Sequence, residues 1–390
     1  MPPLDFPPGT PGATYTGPNG TLWSWDNQKW VAGTSANAYA PIASPAFSGN
    51  PTAPTPPVGD ADTSIATTQF VSDAVATSLH DVGRNYVHNS MFNIAQRGAG
   101  PFTTFGTTTL DRWLLSGVTD VANTSQGALG DAGRAEIGDE EAGFFWLNNF
   151  TGNAAAGAYH RLDQRIENVR RLAGKTVTVS FWARYTAGTP KIGININQNF
   201  GTGGSPSAGG AVLATGNTVT LSSTWTRYSS TIAIPSVAGK TLGTNIGTDF
   251  SALSIWFSSG ATNNAAAGNI GVQSGTVNLY GVQLELGPTA TPLEKLDPVT
   301  QLQQCQRFYT ALPGLIVQSY AGAGQGFNCT FLFPVTMRAN PQITFASQTY
   351  FNASGLSING QAQHMMKTNC TATALGLCYV TFDMYLSADL

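Results

Sequence analysis

Gly275–Thr310, GTVNLYGVQLELGPTATPLEKLDPVTQLQQCQRFYT, is the stretch whose reading decides the fold. Val277 and Leu279 share one side of an alternating run; after Gly281 the apolar side moves to Val282, Leu284 and Leu286. Period-two alternation is that of a strand with one buried face. The change of phase at Gly281 predicts a bulge, because glycine accepts dihedrals that other residues resist. Gly287-Pro288 ends the strand, and Asp297-Pro298 reads as a helix N-cap with proline in the first turn. Val299, Leu302, Cys305 and Phe308 or Tyr309 follow at helical spacing, which predicts a short amphipathic helix. One all-β domain therefore closes here, and a helix leads into another.

Upstream, the same alternation recurs. Val177, Val179, Phe181 and Ala183 alternate with Thr178, Ser180, Trp182 and Arg184. Ile192, Ile194 and Ile196 alternate with Gly193, Asn195 and Asn197, and Leu253, Ile255 and Phe257 with Ser254 and Trp256. Gly- and Ser-rich turns at 201–210 and 260–268 separate these runs, so 85–296 reads as one sandwich. Downstream, Phe327, Phe331, Phe333 and Val335 share one side of a strand. CYVTFDMYLSADL, Cys378–Leu390, carries apolar or aromatic residues on both sides, which predicts a strand covered on both faces.

Composition agrees with turn-rich β structure. Of 390 residues, 44 are Gly and 22 Pro, and only 10% are charged. A net charge of −3 gives no electrostatic case for nucleic acid. No apolar run is long enough to cross a bilayer, so membrane insertion is not expected. Low charge with 42% hydrophobic residues fits either a surface covered by neighbouring subunits or a neutral, hydroxyl-rich exterior. MPPLDFPPGTPG at the N-terminus lacks the basic and apolar regions of a signal peptide, so synthesis in a bacterial cytoplasm is expected. Cys305, Cys329, Cys370 and Cys378 match no zinc spacing; free buried thiols, a Cys370–Cys378 bridge across a hairpin, and bridges formed after lysis are the alternatives.

Six stretches carry a resemblance. GVQLELGPTATPLE, with NSMFNIAQRG and LDRWLL further upstream, resembles the β-jelly-roll modules of bacteriophage tail fibres, which are similar to carbohydrate-binding jelly rolls. LQQCQRFY resembles the helix that introduces the C-terminal domain of phage fibre and receptor-binding proteins. FNCTFLFPVTMRANPQITF resembles the terminal domain itself, with its pattern at Pro334, Val335, Met337, Arg338 and Pro341. FSGNPTAPTPPVGDADTSIATTQFVSDAV resembles a recurring fibre segment that ends in a helix associated with parallel trimerisation. Thr67 or Thr68 would cap that helix, and Val71, Val75, Leu79 and Val82 fall on one side of it. So narrow a stripe gains stability by pairing, either with other copies or with the chain's own next domain.

The resemblance implies a mainly β, elongated fibre. Residues 1–40 would be a small β module, with Trp23, Trp25 and Trp30 packing a miniature hairpin that attaches to a particle. Residues 41–84 would be a Pro-rich extended linker with a trimerising helix, 85–296 the jelly-roll sandwich, and 297–390 a helix plus C-terminal β tip domain. Val71, Val75, Leu79 and Leu302 are the expected trimer contacts. Expected partners are two further copies of the chain, a tail, baseplate or neck protein at the N-terminus, and a host-surface glycan. The expected location is the virion.

If the aliphatic positions face the core, Trp182, Arg184, Asn195, Asn197, Arg227 and Trp256 face away from it. Tryptophan covers the C–H face of a sugar, while amides and guanidinium groups bind its hydroxyls. The alternative is that these residues pack against a loop, the adjoining domain or a neighbouring copy. There is no P-loop, nucleophile elbow or HExxH, so no enzyme is expected. Asp139-Glu140-Glu141 is either a structural calcium site or a solvated loop, and no other cofactor is expected. Asp163 and Glu167, four apart, or Asp111 would have to serve a depolymerase. The rival readings are thus a structural neck, collar, head or baseplate fibre, and a polysaccharide hydrolase.

Overall fold

The computed structural model describes residues 5–18, 20–33, 52–56, 65–71 and 83–390. The chain divides between Leu79 and His80 into two units. In the first, β1 (Thr14–Thr16), β2 (Leu22–Trp25) and β3 (Trp30–Gly33) form an antiparallel sheet. Phe6 packs edge-on against Tyr15 and Trp23 and stacks on Trp30 at 5.6 Å, and the Trp30 indole donates to the Pro7 carbonyl at 3.0 Å. A module this small needs its rings for its own packing. Further on, helix α1 is described over residues 68–71, with the Thr67 hydroxyl accepting from the Phe70 amide at 3.1 Å as its cap. Val71 is exposed. Val75, Leu79 and Val82 lie outside the described residues.

The second unit is built on the alternating runs. Strands β4 (Thr107–Thr108), β5 (Leu114–Val118), β8 (Tyr159–Glu167), β13 (Phe250–Ser259) and β10 (Lys191–Asn199) lie side by side as a front sheet. Strands β6 (Val121–Ala128), β7 (Phe144–Thr151), β14 (Ser274–Leu286), β9 (Thr176–Ala187) and β12 (Thr226–Ala233) form a back sheet. Strand β11 (Gly210–Thr220) pairs with β10 and touches β12 at Thr215, joining the two. Ile192, Ile194, Ile196, Leu253 and Ile255 from the front meet Val177, Val179, Phe181, Leu279 and Leu284 from the back, all fully buried. Each such side chain contributes roughly 1.5–3 kcal/mol by leaving water. The result is the expected antiparallel jelly-roll sandwich.

Gly281 has φ +61°, and the register of β14 against β9 slips between Tyr280 and Gln283. This is the bulge that the phase change required. It keeps Leu279 and Val282 both in the core while Tyr280 turns to the outer face of the back sheet. Leu286, the last residue of the strand, is exposed, although the Val177 opposite it is buried.

The chain enters and leaves the sandwich at one place. Gly83 and Asn85 donate their amides to the buried Glu294 carboxylate, Arg84 reaches the Pro292 carbonyl, and Asn85 bonds the Val282 carbonyl at 3.1 Å. Glu285, also buried, accepts from the Thr291 amide and hydroxyl and pairs with Arg84 at 3.7 Å. Glu294→Ala leaves the half-buried Asn85 amide without its acceptor, at about 1–3 kcal/mol, while the exposed Gly83 amide turns to water. The expected loss is about 1–3 kcal/mol in urea unfolding of the whole chain. An unchanged midpoint would show the clasp to be marginal.

Helix α3 (Pro298–Gln306) is capped by Asp297, whose carboxylate accepts from the Val299 and Thr300 amides at 3.3 and 3.1 Å. The buried face differs from the expected stripe: Gln301, Cys305 and Phe308 are buried, Leu302 is half-buried and Val299 exposed. Two three-stranded sheets follow, β15 (Tyr309–Ala321), β20 (Gly376–Ser387) and β17 (Gln342–Phe351) in one, and β16 (Gly326–Leu332), β19 (Met365–Ala372) and β18 (Ala353–Ala362) in the other. Val380, Phe382, Met384 and Leu386 are buried in their core, whereas Tyr379, Thr381, Asp383 and Tyr385 are half-buried on the other face. The expectation that β20 is covered on both faces does not hold within this chain. Cys370 and Cys378 stand in different sheets, not across one hairpin, and all four thiols are free.

Candidate functional site

The six residues expected to bind glycan do not lie together. Trp182, Arg184 and Arg227 belong to the back sheet; Asn195, Asn197 and Trp256 belong to the front. The two sets look out from opposite faces of the sandwich and cannot serve one ligand.

On the back, the chain covers its own sheet. Helix α2 (Asp131–Ile137) and the segment around Leu293 pack with Tyr280, Trp225 and Trp182. Arg227 lies 4.7 Å over the Trp182 ring and donates to the Thr291 carbonyl, and Arg184 lies 5.1 Å over Trp225. Lys295 bridges Asp139 at 2.7 Å and Glu141 at 3.1 Å, and the Tyr280 hydroxyl donates to Asp139 at 2.7 Å. Burial opposes the Asp139 charge, but Lys295 and Tyr280 outweigh it and hold the carboxyl below its usual range. Two of the three acidic residues, Asp139 and Glu141, thus form an ion-paired strut with Lys295, and Glu140 is exposed.

On the front, the loop 260–271 lies across one end of the sheet. It buries Trp256 beneath Ala267 and Ile270, and the fully buried Asn195 donates to the Ala266 carbonyl at 2.7 Å. Gly193 makes this approach possible: a Cβ there would stand 1.9 Å from the Ala267 carbonyl oxygen. Of the three front-sheet residues, Asn197 is half-buried where Asn195 and Trp256 are buried, and it is held by Asn195 at 3.2 Å and Ser254 at 3.1 Å.

Away from the loop, the outward residues that keep some exposure include Asn197 on β10 and Arg161 and Arg165 on β8. Register sets Trp256, Arg161 and Ser116 in one row, Asn195, Ser254 and Asp163 in the next, and Asn197, Ala252 and Arg165 in a third. A groove of about 670 Å³ runs from this face to the C-terminal sheets, past Arg97, Thr107, Tyr159 and Tyr309. A depression of about 320 Å³ continues it across Asn197 and Phe250. Arg161 and Arg165 line both. Arg161 Nε donates to Asp163 at 3.0 Å, and the Ser116 hydroxyl donates to the same carboxylate oxygen at 2.7 Å. Arg97 pairs with Asp389 and lies 3.5 Å over the Tyr309 ring, and Arg165 donates to the Leu390 carbonyl. Burial costs the Arg165 charge and lowers its pKa; Asp163 and Asp389 act against that, while Arg161 adds to it.

Arg338 ties the C-terminal sheets to the end of β8. It reaches Glu167 at 3.3 Å and the carbonyls of Gly247 and Ala388 at 2.6 and 3.2 Å. Glu167 also pairs with Arg307, and Asp111 accepts from Gln96, so each carboxylate considered for hydrolysis is engaged in a structural contact.

No family model and no curated protein sequence matches the chain. Among solved structures, a match of 16% identity and TM-score 0.28 to the enzymatically active domain of tailspike protein 4 of bacteriophage CBA120 covers 52% of this chain and 22% of that one. The match thus spans under a quarter of that solved domain's chain. A putative sugar-binding protein of Bacteroides thetaiotaomicron matches at 14% identity and TM-score 0.31, over 52% of this chain and 100% of its own. A xylan-binding domain of Paenibacillus barcinonensis matches at 11% identity and TM-score 0.29, over 54% and 99%. Scores this low carry no argument about what the groove does.

Sequence reasoning missed Arg161 and Arg165. Tyr159, Arg161, Asp163, Arg165 and Glu167 alternate in plain sight, but the inward positions include His160 and Gln164, which hide the buried face. Gln164 is inward because its amide closes two bonds with the His88 backbone, at 2.6 and 2.9 Å.

Proposed function

We propose that the chain binds a cell-surface glycan through the front-sheet groove, as the adhesive part of a homotrimeric bacteriophage fibre. The observation that carries the glycan reading is the groove itself. Fixed guanidinium groups, the Asn197 amide and hydroxyls at Thr107 and Thr108 line one elongated channel over a rigid sheet. Sugars are recognised by such fixed planar donors and acceptors, and a scaffold of paired strands keeps them in place. The fibre reading is supported by the order of the sequence resemblances: a Pro-rich leader, a jelly roll, then a helix into a terminal β domain. We read the role as binding without bond cleavage, a reading supported by the structural contacts that Asp111, Asp163 and Glu167 each make.

The test is adsorption of the full chain to a panel of bacterial strains before and after periodate oxidation of their surface sugars, with sedimentation of the free protein alongside. Retention on at least one strain, abolished by periodate, together with the mass of three copies, is the expected result. Retention that survives periodate overturns the glycan reading, and a monomer at micromolar concentration overturns the trimer.

A further inference from the structure

We infer that the groove takes a carboxylated glycan, a uronic-acid-type chain, and that Arg161 reads its carboxylate. This rests on the glycan reading above and names its ligand class.

The argument begins with the rings. A neutral sugar is gripped largely by stacking on exposed aromatic faces. Here those faces are taken by cations. Arg97 covers Tyr309 at 3.5 Å, Arg165 covers Phe250 at 4.8 Å, and Arg161 lies 4.7 Å over Trp256 and 5.3 Å over Tyr159. What the groove presents to a ligand is guanidinium, not ring. Three arginines, Arg97, Arg161 and Arg165, gather here with the carboxylates of Asp111, Asp163 and Asp389, so the groove offers a ligand directed donors and not an excess of positive charge.

Arg161 is the one whose geometry is complete. Its Nε is tied to Asp163, so one edge of the guanidinium is held. Asp163 is itself buried, and its second oxygen, Oδ1, has no hydrogen-bond partner. The two rings fix the plane. The Nη groups donate no hydrogen bond among the described residues, and the side chain lines both halves of the groove. A planar fork with one edge anchored and the other open is complementary to a bidentate carboxylate. Because the side chain is already immobilised, binding costs little further rotamer freedom.

The test uses the full chain in affinity electrophoresis against polygalacturonate and alginate, each beside its carboxyl-reduced form, with xylan and β-glucan as neutral polymers and dextran sulfate as a charge control. Binding to a carboxylated polymer, weakened at least about ten-fold by carboxyl reduction, is expected. Arg161→Lys keeps the charge and loses the fork, and should weaken that binding about ten-fold with an unchanged melting temperature. Arg161→Gln with Asp163→Asn, which leaves no lone buried charge, should do the same. Equal binding before and after carboxyl reduction overturns this inference and leaves the glycan reading standing. Equal binding to dextran sulfate reduces the site to charge adsorption and also overturns it. Silence across all six glycans and dextran sulfate counts against both.

Discussion

Acidification from pH 7.5 to pH 5 is expected to destabilise the sandwich by about 2 kcal/mol through His160 alone. The ring is fully buried among Phe105, Phe150 and Phe257, at 5.4–5.5 Å, and neither nitrogen has a partner. Burial lowers its pKa from 6.5 to about 3. The unfolded chain therefore binds a proton below pH 6.5 that the folded chain refuses until about pH 3, so stability falls as pH falls through that window. His88, lowered to about 3 by burial and by Arg112, Arg307 and Arg171, adds in the same direction. Its ring is less fully enclosed, so it adds less, and the sum lies between about 2 and 4 kcal/mol at pH 5. Urea midpoints at pH 7.5, 6 and 5 read the effect. His160→Phe should flatten about half of the slope or more; a slope unchanged in that variant would assign the effect elsewhere.

Phe308→Ala is the substitution with the largest expected cost, about 3–5 kcal/mol. Phe308 is 1% exposed at the end of α3, with the Arg112 guanidinium 3.3 Å above its ring and Arg307 at 5.5 Å. Arg112 is itself buried, its pKa lowered to about 10, and it donates to the Arg165 carbonyl beneath the groove. Removing the ring leaves a cavity and strips a buried cation of its partner, so glycan affinity should fall together with stability. Phe308→Leu, which keeps most of the volume, should cost about 1–2 kcal/mol. Equal costs for the two variants would mean that the site collapses around the loss and that the ring is not the keystone of this junction.

Much of the fold was legible because it rests on parity. Ile192, Ile194 and Ile196 alternate with small or polar residues, and the structure buries all three. Gly281 announced its bulge, and Asp297 and Thr67 announced their caps, because each solves a local backbone problem that few residues can solve. The site was far less legible. Parity told that Trp182 and Trp256 point away from the core, but not that Leu293 and Ala267, distant in sequence, would cover them. On α3 the expected stripe was off by part of a turn, because the helix buries Gln301, whose amide reaches the Leu296 carbonyl at 2.6 Å, and leaves Val299 exposed. The groove depends on β8 lying at the centre of the front sheet and on Arg338 docking to Glu167, and neither is a property of a single strand.

The clasp at Gly83–Asn85 also has a mechanical consequence. Tension applied between the leader and the segment after Glu294 enters the sandwich where it leaves, across the bonds from Gly83, Arg84 and Asn85 to Glu294, Pro292 and Val282. Of the paired strands, β14 shares that line of force through Val282 and the others stand outside it. Under load the fold is sheared at its stem, and the other strands of the two β-layers feel the pull only after the stem has parted.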